Sequence, residues 1–325
     1  MLAESPPIKV RVALLDDYQG VAESFGPWFS LADRIAVYAF RDHIADLANL
    51  VERLRDFEIV VAMRERTRLG RPVIEQLPNL RLLVTTGSRN AAIDIDACAD
   101  RGVTVCGTRI VSQGTAELTW ALILAAARHL PEEVGNMRSG KWMTSVGTDL
   151  FGARLGVVGL GELGSQVARI GLAFGMEVVA WSTNLTEGRC SEIGVALVTK
   201  DELLSSSDIV TLHVVLSERT RGLIGERELG LLKPTAWLVN TSRGPICDEA
   251  ALLSACRERL IAGACLDVFG DEPLPADHPF RTLRNVLVTP HIGYVTRNNY
   301  EMFFSDVVDD IECWLDGHPV RVIAG

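Results

Sequence analysis

Three segments in the second half of the chain place charged side chains directly after strand-like sequence. They are VNTSRGPICDEAAL (239–252), CLDVFGDEPLP (265–275) and NVLVTPHIGYVT (285–296). In open α/β sheets, ligands bind outside the carboxyl ends of the strands. An arginine can bind a carboxylate through two parallel hydrogen bonds, and a histidine can donate and recover a proton near neutral pH. The residue types in these segments therefore favour an acidic ligand and a proton transfer.

A glycine-rich segment, GLGELG, lies upstream and has the spacing of a dinucleotide-binding turn. It follows the strand-like LGVVG and opens the helix-like ELGSQVARIGLAFG. Gly159 permits the tight turn, Gly161 lets a pyrophosphate approach the backbone, and Gly164 lets helix and strand pack closely. The free N–H groups and the dipole at the start of the helix favour an anion there. The spacing and its context predict a dinucleotide-binding site.

The strand after this turn ends without the acid that usually holds the adenosine ribose of NAD. The stretch VVAWSTN (178–184) has Ser182 and Thr183 where an Asp or Glu is typical. Ser182 does not repel a 2′-phosphate, and its hydroxyl can bond to either a phosphate or a ribose. No arginine is adjacent to Ser182, and the nearest cation in sequence is Arg189. We expect both NAD(H) and NADP(H) to serve, with a mild preference for NADPH.

The alternation of short apolar runs with helical stretches predicts two series of parallel βαβ units. In the first series, the strand-like runs are 8–17, 57–63, 79–88 and 101–107, and helices are expected at 43–56 and 93–101. The second series begins at Leu155, and its six strand candidates are GVVGL, MEVVAW, DIVTLHVV, AWLVNTS, AGACLDVF and NVLVTP. A long amphipathic helix is expected at 115–130 and another helix at 296–317. The pattern favours two helices that cross between the lobes, with the C-terminus returning to the first lobe.

Composition is that of a globular protein large enough for two domains. The chain has 325 residues, of which 48% are hydrophobic and 23% charged. The net charge of −10 argues against a nucleic-acid partner. The seven cysteines show no CxxC spacing, and no metal-ligand spacing is visible. Residues 1–10 lack the features of a signal peptide, and the apolar run at 121–127 is too short to span a bilayer. We therefore expect a reduced, cytoplasmic protein with no membrane partner.

Taken in order, GLGELG, NTSRG, LDVFGDEP and TPHIG resemble the motifs of the D-isomer-specific 2-hydroxyacid dehydrogenases. This family includes D-3-phosphoglycerate dehydrogenases and glyoxylate/hydroxypyruvate reductases, and the resemblance extends from about Val10 to Val320. It implies a Rossmann NAD(P)-binding lobe at 114–292, inserted into a discontinuous, flavodoxin-like substrate-binding lobe at 1–113 and 293–325. It also implies a homodimer whose interface includes the helical region after residue 115.

The resemblance implies a catalytic role for three of the motif residues. Arg243 matches the family's substrate-binding arginine, Glu272 its catalytic glutamate and His291 its catalytic histidine. Reduction of a 2-keto acid needs a hydride donor, a proton donor at the carbonyl and a cation for the carboxylate. A carboxylate beside a histidine favours the imidazolium, which keeps the proton donor available. The implied function is an NAD(P)-dependent oxidoreductase that interconverts a 2-keto acid and a D-2-hydroxy acid.

The same resemblance implies further contacts with cofactor and substrate. Asp267 matches the acid that contacts the nicotinamide carboxamide, and His213 and Thr241 match residues that line the cofactor groove. The full set of implied cofactor contacts is Thr115, Gly159, Gly161, Glu162, Leu163, Gly164, Ser182, Thr183, His213, Val214, Thr220, Thr241, Asp267 and Gly293. The implied substrate contacts in the first lobe are Arg64, with Arg66 as a weaker candidate, and Gly87, Ser88 and Arg89 in the turn where many relatives hold the substrate carboxylate. Arginines at these positions suit a dianionic or otherwise acidic substrate.

Two classes of function remain open from the sequence. The first is the dehydrogenase, working in the cell mainly as a 2-keto acid reductase. The alternative is a dinucleotide-sensing, corepressor-like binding protein with little turnover, because the family includes corepressors that keep the fold and the catalytic residues. No appended disordered or nucleic-acid-binding segment is visible, which favours the enzyme.

Overall fold

The computed structural model describes residues 9–323. Residues 1–8 and 324–325 lie outside the described part, including most of the segment interpreted above as lacking a signal peptide and the first residue of the strand expected at 8–17. The described chain divides into two compact units, one formed by the residues up to Val111 and from Thr296 onward, the other by Ser112–Val295. The sequence predicts these divisions after residues 113 and 292. No helix in residues 9–323 is long and apolar enough to cross a membrane.

The elements alternate along the chain as βαβ units require. The strands are β1 (Val10–Leu14), β2 (Ile35–Ala39), β3 (Ile59–Ala62), β4 (Leu82–Thr85), β5 (Thr104–Gly107), β6 (Arg154–Val158), β7 (Glu177–Trp181), β8 (Ala196–Leu197), β9 (Ile209–Leu212), β10 (Trp237–Asn240), β11 (Gly263–Leu266) and β12 (Val286–Val288). The helices are α1 (Ala22–Phe25), α2 (Leu47–Leu54), α3 (Arg71–Ile74), α4 (Ile95–Asp100), α5 (Gln113–Ala127), α6 (Leu130–Arg138), α7 (Glu162–Ala173), α8 (Glu187–Ile193), α9 (Lys200–Ser206), α10 (Glu226–Leu231), α11 (Glu249–Arg257) and α12 (Arg297–Leu315). Short 3-10 helices occupy Trp28–Leu31, Gly244–Ile246 and Pro279–Arg281.

The first unit is built on a five-stranded parallel sheet with the order β2-β1-β3-β4-β5. This is the flavodoxin-like order, in which the switch point lies between β1 and β3. Strands β3 and β4 are buried along their whole length, which explains their uninterrupted apolar sequence. Strand β2 lies at one edge of this sheet and β5 at the other, where Val322 pairs antiparallel with Cys106. The sequence reading missed β2, whose residues are mostly only partly buried at the edge of the sheet.

The second unit is built on a seven-stranded parallel sheet with the order β12-β11-β10-β9-β6-β7-β8. The order reverses between β6 and β9, as in a Rossmann fold. All six strand candidates are strands, and the two-residue β8 is an addition. The two parallel-sheet α/β lobes predicted from the sequence are therefore confirmed.

The helix expected at 115–130 differs from its predicted character. It is α5, and α6 follows it after a break at His129, whose φ is 50°. The sequence predicts an amphipathic helix with one buried face. In the structure α5 buries Ala116, Trp120 and Ile123 and also Leu122 and Ala126, so the buried part extends beyond one face. It packs against α7 and also against β10 and β11, and its exposed residues are limited to the narrow stripe Gln113, Glu117 and Ala121. A helix in that position is apolar nearly all round.

Candidate active site

The glycine-rich turn joins β6 to α7 and is tied to the end of β7. The N–H of Gly159 donates to the carbonyl of Trp181 at 2.8 Å. A Cβ on Gly164 would collide with the carbonyl oxygen of Gly159, so the close approach of helix and strand requires glycine there. A Cβ on Gly161 would meet no protein atom within 4 Å. The space beside Gly161 is open at the start of a helix, which is what a pyrophosphate needs, so the residues present fit a dinucleotide.

Glu272 and His291 form a direct pair in the loops after β11 and β12. Nδ1 of His291 lies 2.6 Å from Oε2 of Glu272. The other carboxylate oxygen, Oε1, accepts the backbone N–H of Phe269 at 2.8 Å. Both carboxylate oxygens are therefore engaged, and Nε2 of His291 makes no hydrogen bond to any residue that the structure describes. The imidazole is held at one nitrogen and available for proton transfer at the other.

Asp267 anchors the loop that carries His291. Its Oδ1 accepts the Thr289 hydroxyl at 2.6 Å and the Ile292 N–H at 2.8 Å, and its Oδ2 accepts the Gly293 N–H at 2.9 Å. Burial raises the pKa of the Asp267 carboxyl above its ordinary value, although these three hydrogen bonds act in the opposite direction. His291 itself has a left-handed backbone, with φ of 52°, a strained conformation that occurs often at active sites. Asp267 thus fixes the loop around His291.

Arg243 follows β10, and its loop packs directly against the loop that carries Glu272. Nη1 of Arg243 donates to the carbonyl of Ser242 at 2.7 Å, and the Asn240 side chain donates to the Arg243 carbonyl at 2.9 Å. A Cβ on Gly244 would collide with the backbone of Phe269, so only glycine lets the two loops approach so closely. A guanidinium, a carboxylate and an imidazole are thereby presented at adjacent strand ends.

Comparison with known proteins gives this arrangement a family. The model of the D-isomer specific 2-hydroxyacid dehydrogenase, NAD binding domain, matches residues 120–293. The glyoxylate reductase of Aeropyrum pernix is 41% identical over 240 residues, which are 71% of this chain and 72% of that protein. The chain belongs to the D-isomer specific 2-hydroxyacid dehydrogenase family.

Two further similarities agree with this assignment. The D-3-phosphoglycerate dehydrogenase of Methanocaldococcus jannaschii is 37% identical over 272 residues, 82% of this chain but only 52% of that protein. The crystal structure of a phosphoglycerate oxidoreductase from Vibrio cholerae O395 has a TM-score of 0.90 and 35% identity, covering 95% of this chain and 99% of that one. The family member described here is an NAD(P)-dependent oxidoreductase that interconverts 2-keto and D-2-hydroxy acids. The alternative of a corepressor-like binding protein finds no support.

His213 lies beside the glycine-rich turn and has an unused polar atom. Its Nε2 is 2.9 Å from the Thr211 hydroxyl, while Nδ1 is buried without a partner among residues 9–323. Burial lowers the pKa of His213 from 6.5 to about 3, so the ring is neutral at physiological pH. The carbonyl group of His213 also lies against Gly159. Buried polar atoms normally have a hydrogen-bond partner, so the Nδ1 of His213 beside this turn, unpaired among the described residues, is a second sign that these residues fit a dinucleotide.

The other predicted cofactor contacts fall into two groups. Thr115 and Thr241 belong to the same structural neighbourhood as the catalytic loops: Thr115 packs beside Gly293, and the Thr241 hydroxyl is 2.8 Å from that of Thr119. The remaining residues lie around the glycine-rich turn, at the end of β7 or after β9, and are Glu162, Leu163, Ser182, Thr183, Val214 and Thr220. Glu162 accepts the Ser112 hydroxyl at 2.7 Å, and Thr220 closes its own loop by donating to the Val215 carbonyl at 2.7 Å.

In the first unit, Arg64 is held firmly after β3. Its backbone φ is 52°, its N–H donates to the Thr86 hydroxyl at 2.9 Å, and its Nη1 donates to the Thr86 carbonyl at 3.1 Å. The guanidinium lies directly over Gly87. Asn90, which the sequence places in the same turn as Arg89 without a contact of its own, donates to the Arg64 carbonyl at 2.6 Å and accepts the Ala92 N–H at 2.8 Å. An asparagine that bonds the backbone two residues ahead is a recognised turn former, and this signal was available in the sequence.

The other predicted substrate contacts of the first unit differ from one another. Arg66 is engaged with the segment after β1: its Nη1 donates to the Asp16 carbonyl at 2.6 Å, and its guanidinium lies 4.6 Å from the centre of the Tyr18 ring. Gly87 is buried, whereas Ser88 and Arg89 are exposed. The structure therefore brings Arg64 and Gly87 together and leaves Arg89 on the surface of its turn.

Proposed function

We propose that this enzyme reduces a small, acidic 2-keto acid to its D-2-hydroxy acid with His291 as the proton donor. The observation that carries the proposal is the 2.6 Å contact between Glu272 and His291, in loops that pack beside that of Arg243. When bound, the reduced nicotinamide supplies the hydride. His291 gives the proton of Nε2 to the carbonyl oxygen and recovers it in the reverse reaction. Glu272 stabilises the imidazolium, and Arg243 binds the substrate carboxylate and polarises the carbonyl.

An arginine of the first unit supports an acidic substrate. Arg64 is fixed over Gly87 by Thr86 and Asn90, so a guanidinium is presented where the sequence predicts contact with the far end of the substrate. Glyoxylate, hydroxypyruvate and phenyl-substituted pyruvates are reasonable small substrates. The names of the A. pernix and M. jannaschii relatives support glyoxylate and a phosphorylated three-carbon acid as further substrates to test.

The test is a panel of 2-keto acids assayed with NADH and with NADPH at 340 nm, followed by chiral analysis of the product. We expect reduction of at least one acid to the D-isomer, and a decrease in kcat of about a hundredfold or more for His291→Ala, as expected for loss of a general acid. No turnover with any acid, while cofactor binding is intact, would contradict the proposal. An L-product would exclude the assigned stereochemistry.

A homodimer is supported by an apolar surface on the second unit. The exposed large hydrophobic side chains between residues 130 and 151 are Leu130, Val134, Met137, Trp142, Met143, Val146 and Phe151. Large apolar side chains exposed together in one segment of the chain favour an interaction surface there. Multi-angle light scattering should give twice the chain mass of 35.5 kDa. Val146→Asp should shift the mass towards the monomer, and Phe29→Asp, at an exposed position of the first unit, should not.

A reducing, cytoplasmic location is supported by the cysteines. All seven are free thiols, and six of them are buried. Burial raises the pKa of the Cys98, Cys106 and Cys247 thiols, which keeps them protonated and unreactive. Fractionation of cells that express the protein, with a thiol-specific label applied before lysis, would test the location.

A further inference from the structure

Arg189 lies on α8 but folds back onto the glycine-rich turn. Its Nη2 donates to the Ser165 hydroxyl at 3.0 Å, and its Nε donates to the Leu160 carbonyl at 3.5 Å. Leu160 lies between the first two glycines of the turn, and the Ser165 hydroxyl in turn donates to the Leu160 carbonyl at 3.1 Å. The guanidinium is therefore fixed against the phosphate-binding turn, although Arg189 is well past Ser182 in the sequence.

The strand end beside this turn carries no carboxylate. Trp181, the last residue of β7, is bonded to Gly159 of the turn, and Ser182, Thr183 and Asn184 follow it. In Rossmann folds an acid at this strand end holds the ribose 2′-OH of NAD, whereas a nearby arginine accommodates the 2′-phosphate of NADP. Here the acid is missing, and the structure places a cation on the adjoining turn.

Arg189 has hydrogen-bonding capacity left for an anion. A guanidinium has five N–H groups. Three are used, by Leu160, Ser165 and Glu192, the last at 2.9 Å, and the other two have no partner in the part of the chain that the structure describes. The ion pair with Glu192 joins two exposed side chains and contributes little. A phosphate can therefore replace Glu192 at small cost and bind bidentately.

The position of Arg189 is also fixed before any ligand binds. Thr186 caps α8, and its hydroxyl accepts the Arg189 N–H at 3.3 Å. The neighbouring Cys190 and Ile193 are buried in the core of the unit. A cation held in place by its helix and by two hydrogen bonds loses little conformational entropy when it binds a ligand.

We propose that Arg189 binds the 2′-phosphate of NADP(H) and thereby sets the cofactor preference of this enzyme. The proposal rests on dinucleotide binding at the glycine-rich turn and is independent of which 2-keto acid is reduced. An Arg189 that only stacked on the adenine would serve both cofactors equally. An Arg189 that only held α8 to the turn would affect thermal stability and both cofactors alike.

The experiment measures binding of NADPH, NADH and adenosine 2′,5′-bisphosphate to the purified full-length protein by calorimetry, without substrate. Arg189→Gln should weaken NADPH and the bisphosphate about tenfold or more, as expected for loss of a charged hydrogen bond, and should leave NADH within about twofold. Glu192→Gln should tighten NADPH by about two- to fivefold, because it removes a weak competing ion pair. Arg227→Gln, at an exposed arginine paired with Asp201, is the matched control and should change neither cofactor.

Equal loss of NADH and NADPH in Arg189→Gln, or no loss of either, would overturn the proposal. The melting temperature of each variant identifies a loss that comes from unfolding. Should Arg189→Gln fail to fold, the Glu192→Gln variant decides the question, since NADPH affinity that does not rise would count against Arg189. Because the readout is binding without substrate, failure of the proposed reductase activity gives a different result, namely intact cofactor binding without turnover.

Discussion

Oε2 of Glu272 accepts a hydrogen bond from Nδ1 of His291 at 2.6 Å, while Oε1 of the same carboxylate is held by the Phe269 N–H. The glutamate is therefore oriented by the backbone and cannot rotate away without the loss of a second bond. The arrangement keeps the imidazole in one orientation, with Nδ1 held by the carboxylate.

Glu272→Gln should shift the pH–rate profile of the reduction to lower pH, because a negative charge beside a histidine favours the imidazolium and the amide removes that charge. The measurement is kcat/KM against pH for the best 2-keto acid. Glu249→Gln is a matched control, since Glu249 bonds Gly270 and His278 in the same region but does not touch His291. An unchanged profile in Glu272→Gln would remove Glu272 from the acid–base mechanism.

Two glycines of the same turn should respond differently to alanine. Gly161→Ala should fold with nearly the wild-type melting temperature, because its methyl group meets no protein atom. It should bind NAD(P)H about tenfold more weakly, because the methyl group occupies the space that the pyrophosphate needs. Gly164→Ala should lose about 1–3 kcal/mol of stability or fail to fold, since its Cβ overlaps the Gly159 carbonyl. Melting temperatures and calorimetric Kd values distinguish the two. The reverse order of effects would contradict the assignment of the turn.

Much of the fold could be predicted because its signals are local. Continuous apolar runs mark the buried strands, and the glycine spacing marks the turn between β6 and α7. The two strands that were missed lie at sheet edges: β2 is only partly buried, and β8 has two residues. The apolar run of β2, IAVYA, is itself a strand signal, whereas a two-residue strand such as β8 is too short to give a pattern. The character of α5 could not be predicted either, since it depends on which elements pack around the helix.

The residues proposed here as catalytic stand in short local motifs, whereas the contacts that support them join distant parts of the chain. Arg243, Glu272 and His291 stand in short motifs at strand ends, where the chemistry is visible in the residue types. The contacts of Arg189 with Leu160 and Ser165 join distant positions in the sequence, and only the fold reveals them. The role of Asp267 in holding the Ile292 and Gly293 N–H groups likewise depends on the path of the backbone.

Arg64→Ala should lower kcat/KM for acidic substrates about tenfold more than for neutral ones, because a charged hydrogen bond to the far end of the substrate is lost. The comparison needs two 2-keto acids of similar size, one with a second anionic group. Arg89→Ala is the control from the same unit, since Arg89 is exposed, and its effect should be smaller. Equal losses for both substrate classes in Arg64→Ala would mean that Arg64 has a structural role only.

Asp310 should make stability depend on pH. Its carboxyl is fully buried, Oδ1 accepts Nε of Arg321 at 3.0 Å, and Oδ2 has no partner within residues 9–323. Burial raises the pKa of Asp310 from 3.8 to about 7. The folded state then binds this proton more tightly than the unfolded state. The associated stability is present in full below about pH 4 and is lost as the pH rises through about 7.

Asp310→Asn keeps a neutral side chain at every pH and should flatten this dependence. Its gain in stability over the wild type should be larger at pH 8 than at pH 5, by about 1–3 kcal/mol. Thermal or urea unfolding at both pH values measures the difference. Asp309→Asn is the control, because Asp309 pairs with the same Arg321 but is more than half exposed, and it should give a small effect at both pH values. An Asp310→Asn effect that is equal at pH 5 and pH 8 would show that the carboxyl is ionised throughout.

Ser182→Asp should restore the discrimination that this strand end lacks. An aspartate after β7 accepts hydrogen bonds from the ribose 2′-OH and repels a 2′-phosphate. A like-charge contact costs several kcal/mol at a specific interface, but Ser182 is only partly buried, so we expect NADPH use to fall by about tenfold or more while NADH use is spared. This variant adds a repulsion and leaves Arg189 in place, so it tests the strand end separately from the cation on the turn.

The measurement is kcat/KM for both cofactors, first in the wild type, where both should serve, and then in the variant. A wild type that prefers NADH by more than about a thousandfold, which corresponds to roughly 4 kcal/mol, would mean that another residue supplies the discrimination and that Ser182 does not loosen it.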